Sequence, residues 1–337
     1  MKLPLNIKAI PSILILFSFA IPTCILFFLD QSSFYETWKG RTFYLFFLWL
    51  IILRLYLSWK ELQFPIFDSL KSVRGLCLMV ASIAPTLYVA IAYFSGLNSA
   101  ILNVSSQFNV PMVAWMPLSV EYLIFTALLI VIVMLAYGFE GLNNFSISTF
   151  FLGAIGTVYM IDNFYPYGRF TPFQAFVPAT ASSAGQILNW MGYQTTLTPN
   201  VYEGMPYLAL FDSSGYTLLW GAYIGWPCSG VQSLLIYTFT MLLFFKKTTI
   251  PPIHRLAYFV IGAVCTYIVN ILRIVSIFLI AVNQGPTAAS TFHNYYGELY
   301  AITWILAYPL IIIGSRMLWA KVKPEFGVGK AVQRLFR

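Results

Sequence analysis

Three polar residues in the last third of the chain could together perform acyl transfer: Cys228 in "WPCSGVQSL", Arg273 in "NILRIVSIFL" and His293 in "FHNYYG". A thiolate can attack an acyl carbon, an imidazole can move a proton to the leaving group, and a guanidinium can stabilise the developing oxyanion. Each residue alone has an ordinary interpretation: a packing cysteine, an arginine that reaches the membrane surface, and a loop histidine. The three residues can form one acyl-transfer site only if the fold brings them together.

The composition indicates that most of the chain is surrounded by lipid or by other apolar helices. Of its 337 residues, 59% are hydrophobic and only 9% are charged, and the mean hydropathy is +0.78. Soluble proteins average about 25% charged residues, so this deficit indicates a polytopic membrane protein. The net charge of +8 comes from short basic clusters between apolar runs. Since no basic surface with interleaved aromatic residues is evident, we expect no nucleic-acid partner.

Apolar runs long enough to cross a bilayer recur along the chain. A transmembrane helix needs about 20 mostly apolar residues. The candidate spans are 10–29, 42–58, 73–95, 118–137, 146–164, 229–245, 256–282 and 298–319. They predict an all-α polytopic membrane protein with about eight transmembrane helices.

The distribution of Lys and Arg predicts the orientation of these spans, because basic residues accumulate on the cytoplasmic side of short loops. If the chain starts inside, the segments on the cytoplasmic side hold fifteen basic residues: Lys2, Lys8, Arg54, Lys60, Lys71, Arg74, Lys246, Lys247, Arg255, Arg316, Lys321, Lys323, Lys330, Arg334 and Arg337. The outer segments hold three: Lys39, Arg41 and Arg169. We therefore expect a multi-pass protein of the cell membrane with both termini in the cytoplasm.

Residues 170–191 are long enough to cross but make a poor lipid-facing helix, because they include Gln174, Ser182, Ser183 and Gln186. A crossing there would also place the later basic segments on opposite faces. We expect either an interfacial or a re-entrant helix on the outer face. In 193–227, the turn signal "DSSG" between two β-prone runs predicts a β-hairpin. Four regions result: five spans in 1–169, an extracytoplasmic cap in 170–227, a three-span catalytic core in 228–320, and a basic cytoplasmic tail in 321–337.

The predicted topology places the three chemical groups toward the outer face. Cys228 follows Pro227 at the start of the sixth span, where the helix dipole favours a thiolate. Arg273 lies about nine residues, on the order of 13 Å, from the outer end of its span, where a charge marks a site facing the protein interior. His293 lies in a short outer loop before the last span. The groups thus converge at the outer ends of three consecutive spans.

Neighbouring residues complete the predicted site. Asn270 shares a helix face with Arg273, and Ser229 and Gly230 adjoin the cysteine, so we expect these three residues to bind substrate. The four cysteines show no CxxC spacing and no companion histidine at the intervals of metal ligands. We therefore expect no metal site, no disulfide framework and no cofactor. The remaining cysteines lie within apolar runs: Cys24, Cys77 and Cys265.

The blocks "CSGVQSL", "NILRI" and "HNYYG", in this order and in these membrane positions, resemble the exosortase/archaeosortase family of membrane cysteine transpeptidases. The resemblance covers roughly the last 110 residues at the level of motifs. It implies an enzyme that cuts exported proteins near a C-terminal signal, which consists of a short motif, one transmembrane helix and a basic end. The new C-terminus would pass to an acceptor, expected from archaeal members to be a lipid amine. The resemblance implies Cys228 as nucleophile, Arg273 as oxyanion or substrate-positioning cation, and His293 as general acid/base.

Two other functions fit the composition. In a transporter or channel, Arg273 and Asn270 would line a polar path and Cys228 would be incidental. Against this, the spans show no second buried charge of opposite sign and no matching pair of broken helices. A non-catalytic membrane scaffold for secretion proteins would leave the three outer polar residues unexplained.

The predicted orientation can be tested by adding a membrane-impermeant thiol reagent to whole cells. Cys228 should be labelled, because its thiol is predicted to face the exterior, and the Cys228→Ala variant should lose that label. Mass spectrometry of the peptide that contains Cys228 measures the reaction. Labelling only after permeabilisation would show that the topology is inverted.

Overall fold

A computed structural model describes residues 10–36, 38–57, 72–246 and 248–322. The chain divides into two compact units, one ending at Pro166 and one starting at Tyr167. Nine of the fifteen basic residues on the predicted cytoplasmic side lie outside the described residues, as does the tail 321–337 apart from its first two positions. The orientation of the termini therefore remains a prediction.

The first unit is a set of apolar helices: α1 (Ile10–Leu29), α2 (Thr42–Leu57), α3 (Val73–Phe94), α4 (Leu97–Gln107) and α5 (Met116–Phe164). The start of α3 is fixed by Ser72, whose side chain accepts a hydrogen bond from the N–H of Gly75 at 3.1 Å. Fully buried aromatic rings join the helices, with Phe19 packing edge-on against Phe47 of α2 and Phe125 of α5. Burial of these rings contributes apolar contact between the three helices.

Helix α5 folds back on itself at Gly138. The φ of 65° and ψ of −154° at this residue interrupt the helix, and such a backbone conformation is essentially restricted to glycine. The two arms run antiparallel, since Gly156 lies against Tyr122 and the side-chain amide of Asn163 donates to Ser119 Oγ at 2.6 Å. The sequence predicted two spans separated by a loop over 138–145. Those residues are instead helical apart from Gly138, because one glycine is sufficient for the reversal.

Five helical segments of the described chain are long and apolar enough to cross a membrane: Pro11–Leu29, Val73–Phe94, Val113–Phe164, Pro252–Gln284 and Pro286–Trp319. The third of these contains both arms of α5. Two shorter apolar helices accompany them, Thr42–Leu55 and Val231–Lys246. The chain is therefore a polytopic helical membrane protein, as predicted, while the count of eight spans remains a prediction.

Buried ion pairs connect the segment before α2 with α5. Arg41 donates from Nε and Nη2 to the two carboxylate oxygens of Glu121 at 2.8 and 3.0 Å, and from Nη1 to Asp30 at 2.8 Å. Lys39 Nζ lies 2.6 Å from Asp162 Oδ2, and both side chains are 5% exposed. The spans were predicted to hold no buried charge of opposite sign to Arg273. This prediction is wrong, because Glu121 and Asp162 are buried in α5 beside cations that come much earlier in the chain.

The second unit contains α6 (Thr171–Gln174), α7 (Val177–Trp190), α8 (Val231–Lys246), α9 (Pro252–Gln284), α10 (Pro286–Thr291) and α11 (Gly297–Val322). Helices α8, α9 and α11 pack against one another. Tyr237 of α8 donates to the carbonyl of Phe259 in α9 at 2.7 Å, and Tyr308 of α11 donates to that of Tyr258 at 2.7 Å. These bonds join the three helices near the N-terminal end of α9. The candidate site lies at the other end of the three-helix cluster.

Helix α7 occupies most of the segment 170–191. Its 14 residues extend about 21 Å, which is shorter than the roughly 30 Å hydrocarbon core of a bilayer. One face is buried and includes Thr180, Ala184 and Leu188. These features agree with a helix that does not cross, and the choice between an interfacial and a re-entrant position remains open.

A three-stranded antiparallel sheet follows α7, in the order β1 (Gln194–Tyr202), β2 (Met205–Phe211), β3 (Leu218–Tyr223). The predicted hairpin is β2 and β3, and the Asp212 carboxylate in its turn accepts the N–H groups of Tyr216 and Thr217 at 3.2 and 3.3 Å. The strand β1 is additional. It was missed because Pro199 and the polar residues around it are unfavourable in a regular strand, and here they coincide with a break in the pairing between Thr198 and Tyr202.

The buried ion pair in the first unit should matter for stability. Glu121→Ala should lower the free energy of unfolding by about 3–5 kcal/mol, because the charge of Arg41 would remain buried with one carboxylate fewer. Glu203→Ala is a matched control, since its partner Arg169 is 48% exposed and such pairs contribute about 0–1 kcal/mol. Thermal unfolding in detergent measures both variants. Equal unfolding midpoints would contradict a stabilising role for the buried pair.

Candidate active site

Cys228 lies in a 3₁₀ turn, Trp226–Ser229, that precedes α8. Pro227 lies in the first part of the turn, and the N–H of Cys228 donates to the carbonyl of Gly225 at 3.0 Å. Gly230, with a φ of 90°, ends the turn, and α8 begins at the next residue. The sequence predicted Cys228 at the outer start of the sixth span, and it lies in the turn that leads into the helix of that span. The predicted effect of the helix dipole on the thiolate stays a prediction.

Contacts with α6 and α7 hold this turn in place. The Trp226 ring is fully buried and lies 5.2 Å from the ring of Phe173 in α6. Ser229 donates from its hydroxyl to the Trp226 carbonyl at 2.6 Å, and the hydroxyl of Thr180 in α7 donates to the Ser229 carbonyl at 3.4 Å. Ser229 is only 1% exposed. In the structure this serine stabilises the turn, and its predicted role in substrate binding stays a prediction.

His293 provides the imidazole closest to the thiol. Its Nε2 lies 3.7 Å from Cys228 Sγ, within hydrogen-bond range for sulfur, and its Nδ1 lies 3.0 Å from Oδ1 of Asn294. With the amide oxygen as acceptor, Nδ1 carries the proton of the neutral ring, a tautomer assigned from these contacts. Nε2 is then able to accept the thiol proton.

The backbone around His293 is helical and not the predicted loop. Residues 286–322 form α10, a π-helical turn over 292–296 and α11 without interruption. The stretch from Thr287 to Tyr296 contains neither glycine nor proline, so nothing in it breaks a helix. A π-helical turn adds one residue to the helical circuit and is frequent at functional sites. Here it carries the histidine that faces the thiol.

Asn270 of α9 holds the cysteine turn directly. Its Nδ2 donates to the carbonyl of Cys228 at 3.0 Å, and the residue is 1% exposed. A Cβ at Gly230 would lie 3.0 Å from Cγ of Asn270, so glycine is required there by this contact as well as by its positive φ. Asn270 and Gly230 therefore contribute to the shape of the cysteine turn, and their predicted roles in substrate binding stay predictions.

Arg273 is buried in α9, one turn beyond Asn270, and is 5% exposed. Helix α9 continues to Gln284, so Arg273 lies about 16 Å from that end of the helix. This is too deep for the alternative of an arginine that reaches the membrane surface. A Cβ on Gly297 would lie 2.7 Å from Nε of Arg273. The absence of a side chain at Gly297, four residues after His293, therefore makes room for the guanidinium group.

Two further residues belong to the site but were not identified from the sequence. Asn294 orients the imidazole, and the only sequence signal was its place directly after His293. Thr180 contacts the Cys228 turn and lies 2.9 Å from the hydroxyl of Tyr267 in α9. It was missed because a threonine in the cap segment has no sequence relation to the "PCSG" block.

A cavity of about 410 Å³ lies between α6, the start of α7 and the sheet. Its lining includes Gln174, Leu197, Pro199 and Pro206. The helix α6 that forms one wall also packs on Trp226 through Phe173. The cap and the cysteine turn are thus in direct contact within the second unit.

The arrangement can support nucleophilic chemistry. A thiol next to an imidazole nitrogen can transfer its proton and become a thiolate, which is the nucleophilic form. A buried guanidinium on the adjoining helix can stabilise an oxyanion. The structure therefore brings together the three side chains that the sequence singled out, while Ser229, Gly230 and Asn270 support the turn.

Among known families, the model described as transmembrane exosortase matches residues 37–311, a range that includes Cys228, Arg273 and His293. No curated protein matches the chain, and no solved structure matches it.

The position of Arg273 can be tested by adding a methyl group at Gly297, which has no side chain that could take part in the reaction. Gly297→Ala should displace the guanidinium of Arg273 and lower Cys228-dependent processing of exported proteins on the order of ten- to a hundredfold. Gly314→Ala, in the same helix, is the matched control, because a Cβ there meets no atom within 4 Å. Initial processing rates at equal membrane abundance measure both. Equal rates would show that the position of Arg273 is unimportant.

Proposed function

The chain belongs to the transmembrane exosortase family, and from this premise we propose that it is a membrane-embedded cysteine transpeptidase that cleaves the C-terminal sorting signal of exported proteins. The family consists of cysteine-type transpeptidases that act on exported proteins with such signals. The observation that carries the proposal is the 3.7 Å contact between Cys228 Sγ and His293 Nε2. Burial of Arg273 next to the same helical stretch supports it.

In the first step, the Cys228 proton moves to His293 Nε2 and the thiolate attacks the carbonyl carbon of the scissile peptide bond. A carbon–sulfur bond forms, and negative charge develops on the carbonyl oxygen, where the Arg273 guanidinium stabilises it. His293 then gives its proton to the leaving nitrogen, the carbon–nitrogen bond breaks, and a thioester remains on Cys228. The released fragment is the apolar helix with its basic end.

In the second step, an acceptor amine attacks the thioester carbon. His293 takes the proton from the attacking nitrogen, an amide bond forms, and the carbon–sulfur bond breaks. The proton returns from His293 to the thiolate, which restores the starting state. A membrane lipid amine is the acceptor that we propose, because the thioester would lie where headgroups can reach it.

The supporting residues have defined tasks in this reaction. Asn270 fixes the main chain of Cys228 through its 3.0 Å bond to the carbonyl. Asn294 orients His293 so that Nε2 faces the sulfur. Such positioning favours the chemical step, because misplacement by about 1 Å can cost about a hundredfold in rate. Placement on helices suits a substrate whose tail is itself a membrane helix, and we propose that the site opens to the extracytoplasmic side.

The transporter alternative has less support from the same residues. A polar path needs side chains that water or a solute can reach. Asn270 and Arg273 are only 1% and 5% exposed, and Asn270 is engaged with the backbone of Cys228. The buried charges of the first unit are paired with each other at 2.6–2.8 Å. They are thus accounted for as structural contacts.

The nucleophile can be tested with two matched cysteine variants. Cys228→Ala should reduce processing of exported proteins with a C-terminal apolar tail by roughly a thousandfold or more, because no other group forms the thioester. Cys265→Ala, in α9, should change the rate less than twofold. Tail cleavage is followed on gels at equal abundance of enzyme in the membrane. Similar rates for the two variants would reject Cys228 as nucleophile.

A further inference from the structure

The edge of the small sheet that is formed by β3 leads directly to the cysteine turn. β3 ends at Tyr223, and Cys228 follows five residues later. Five residues reach at most about 17 Å. This edge therefore ends within the length of about five extended substrate residues from the thiol.

The backbone groups on this edge can be identified from the pairing. The N–H of Ile224 donates to the carbonyl of Pro206 at 3.0 Å, and Ala222 lies opposite Leu208. In an antiparallel pair, residues alternate between pointing their N–H and C=O groups to the partner strand and away from it. The N–H and C=O groups of Gly221 and Tyr223 consequently point away from β2. They have no hydrogen-bond partner among the described residues.

The two edges of the sheet differ in protection. Edge strands are usually blunted by proline, charge or a bulge, because unpaired backbone groups attract other strands. The β1 edge has Pro199 and an irregular pairing between Thr198 and Tyr202. The β3 sequence, "LLWGAY", contains neither a proline nor a charged residue, and Leu219 and Tyr223 are 37% and 50% exposed. The unprotected edge is the one that leads to Cys228.

Side-chain packing keeps β3 in place beside the candidate site. Trp220 packs edge-on against Phe278 of α9, with ring centroids 4.6 Å apart. Phe278 lies five residues after Arg273, so this contact is about 7.5 Å further along the α9 axis. A peptide laid along β3 would therefore run beside the part of α9 that carries the guanidinium.

We propose that β3 binds the exported protein by strand addition: the extended, uncharged segment next to the scissile bond pairs with the outward N–H and C=O groups of Gly221 and Tyr223. This inference rests on the proposed function, since it assigns the substrate to that site. Main-chain hydrogen bonds would give affinity, and alternate substrate side chains would face the two sides of the sheet. The chemical class of the ligand is an extended polypeptide without charge in the paired stretch.

The main test uses two substitutions at one position. Tyr223→Pro removes the outward N–H and leaves the bonds to β2, since proline is tolerated where the N–H of an edge strand faces outward. Tyr223→Val removes the ring and keeps the N–H. Both variants lose the contacts of the Tyr223 ring with Tyr202 and Tyr207, so they differ in the outward N–H. We expect kcat/KM for an epitope-tagged exported protein with an apolar C-terminal tail to be at least about tenfold lower for Tyr223→Pro than for Tyr223→Val.

Alkylation of Cys228 by a small thiol reagent should proceed at the same rate in both variants, which shows that the cysteine turn is intact. Equal kcat/KM values for Tyr223→Pro and Tyr223→Val would overturn strand addition and leave the proposed function in place. Failure of the wild type to process any tail in a Cys228-dependent manner would reject the proposed function, and this inference with it.

A second measurement does not depend on turnover or on the folding of the proline variant. In the Cys228→Ala chain, a photoreactive residue is placed at Leu219 on β3 or at Val201 on β1, which is 46% exposed. With the same tagged protein co-expressed, Leu219 should crosslink to the residues that precede its apolar tail, and Val201 should not. Capture from Val201 alone, or capture of a second copy of this chain from Leu219, would contradict the assignment of the β3 edge.

Discussion

The proposed chemistry of the second unit depends on one contact, between the sulfur of Cys228 and Nε2 of His293. The two residues are 65 positions apart, and each is brought to the 3.7 Å separation by a local departure from regular helix. On one side this is a 3₁₀ turn closed by Gly230, and on the other a π-helical turn before α11. A regular helix at either place would rotate one group away from the other. The irregular backbone is therefore the feature through which the apolar cluster presents a reactive pair.

The surrounding contacts keep that pair rigid. Asn270 ties the cysteine turn to α9, Thr180 ties it to α7, and the missing side chain at Gly297 admits the guanidinium of Arg273. The first unit also contains buried cations. Arg41 and Lys39 are buried there, and each has a carboxylate from α5 within 2.8 Å. Buried charge is costly unless it is paired or used. In the first unit each of these cations has a carboxylate partner, and in the second unit we propose that the buried Arg273 stabilises the oxyanion of the reaction.

Much of the membrane architecture could be predicted from sequence, because long apolar runs are local signals. Cys228, Arg273 and His293 could be singled out because polar residues are rare in such runs, and the roles assigned to them stay predictions. The features that the sequence did not predict depend on contacts between residues that are distant in sequence. The Glu121 side chain is buried beside a cation 80 residues away, the reversal at Gly138 depends on packing between the two arms of α5, and Thr180 reaches the cysteine turn from the cap. The π-helical turn at His293 and the strand β1 were missed because neither follows the usual helical or strand periodicity.

The central claim is that Cys228 carries the substrate as a thioester, and acid-quenched mass spectrometry of the enzyme during processing tests it directly. The account predicts an adduct on the peptide that contains Cys228, with the mass of the segment of the exported protein that ends at the scissile bond. Hydroxylamine should remove this adduct, and an acceptor amine should deplete it. A covalent adduct on another residue would contradict the account. Cleavage that proceeds while Cys228 stays unmodified, even without acceptor, would do so as well.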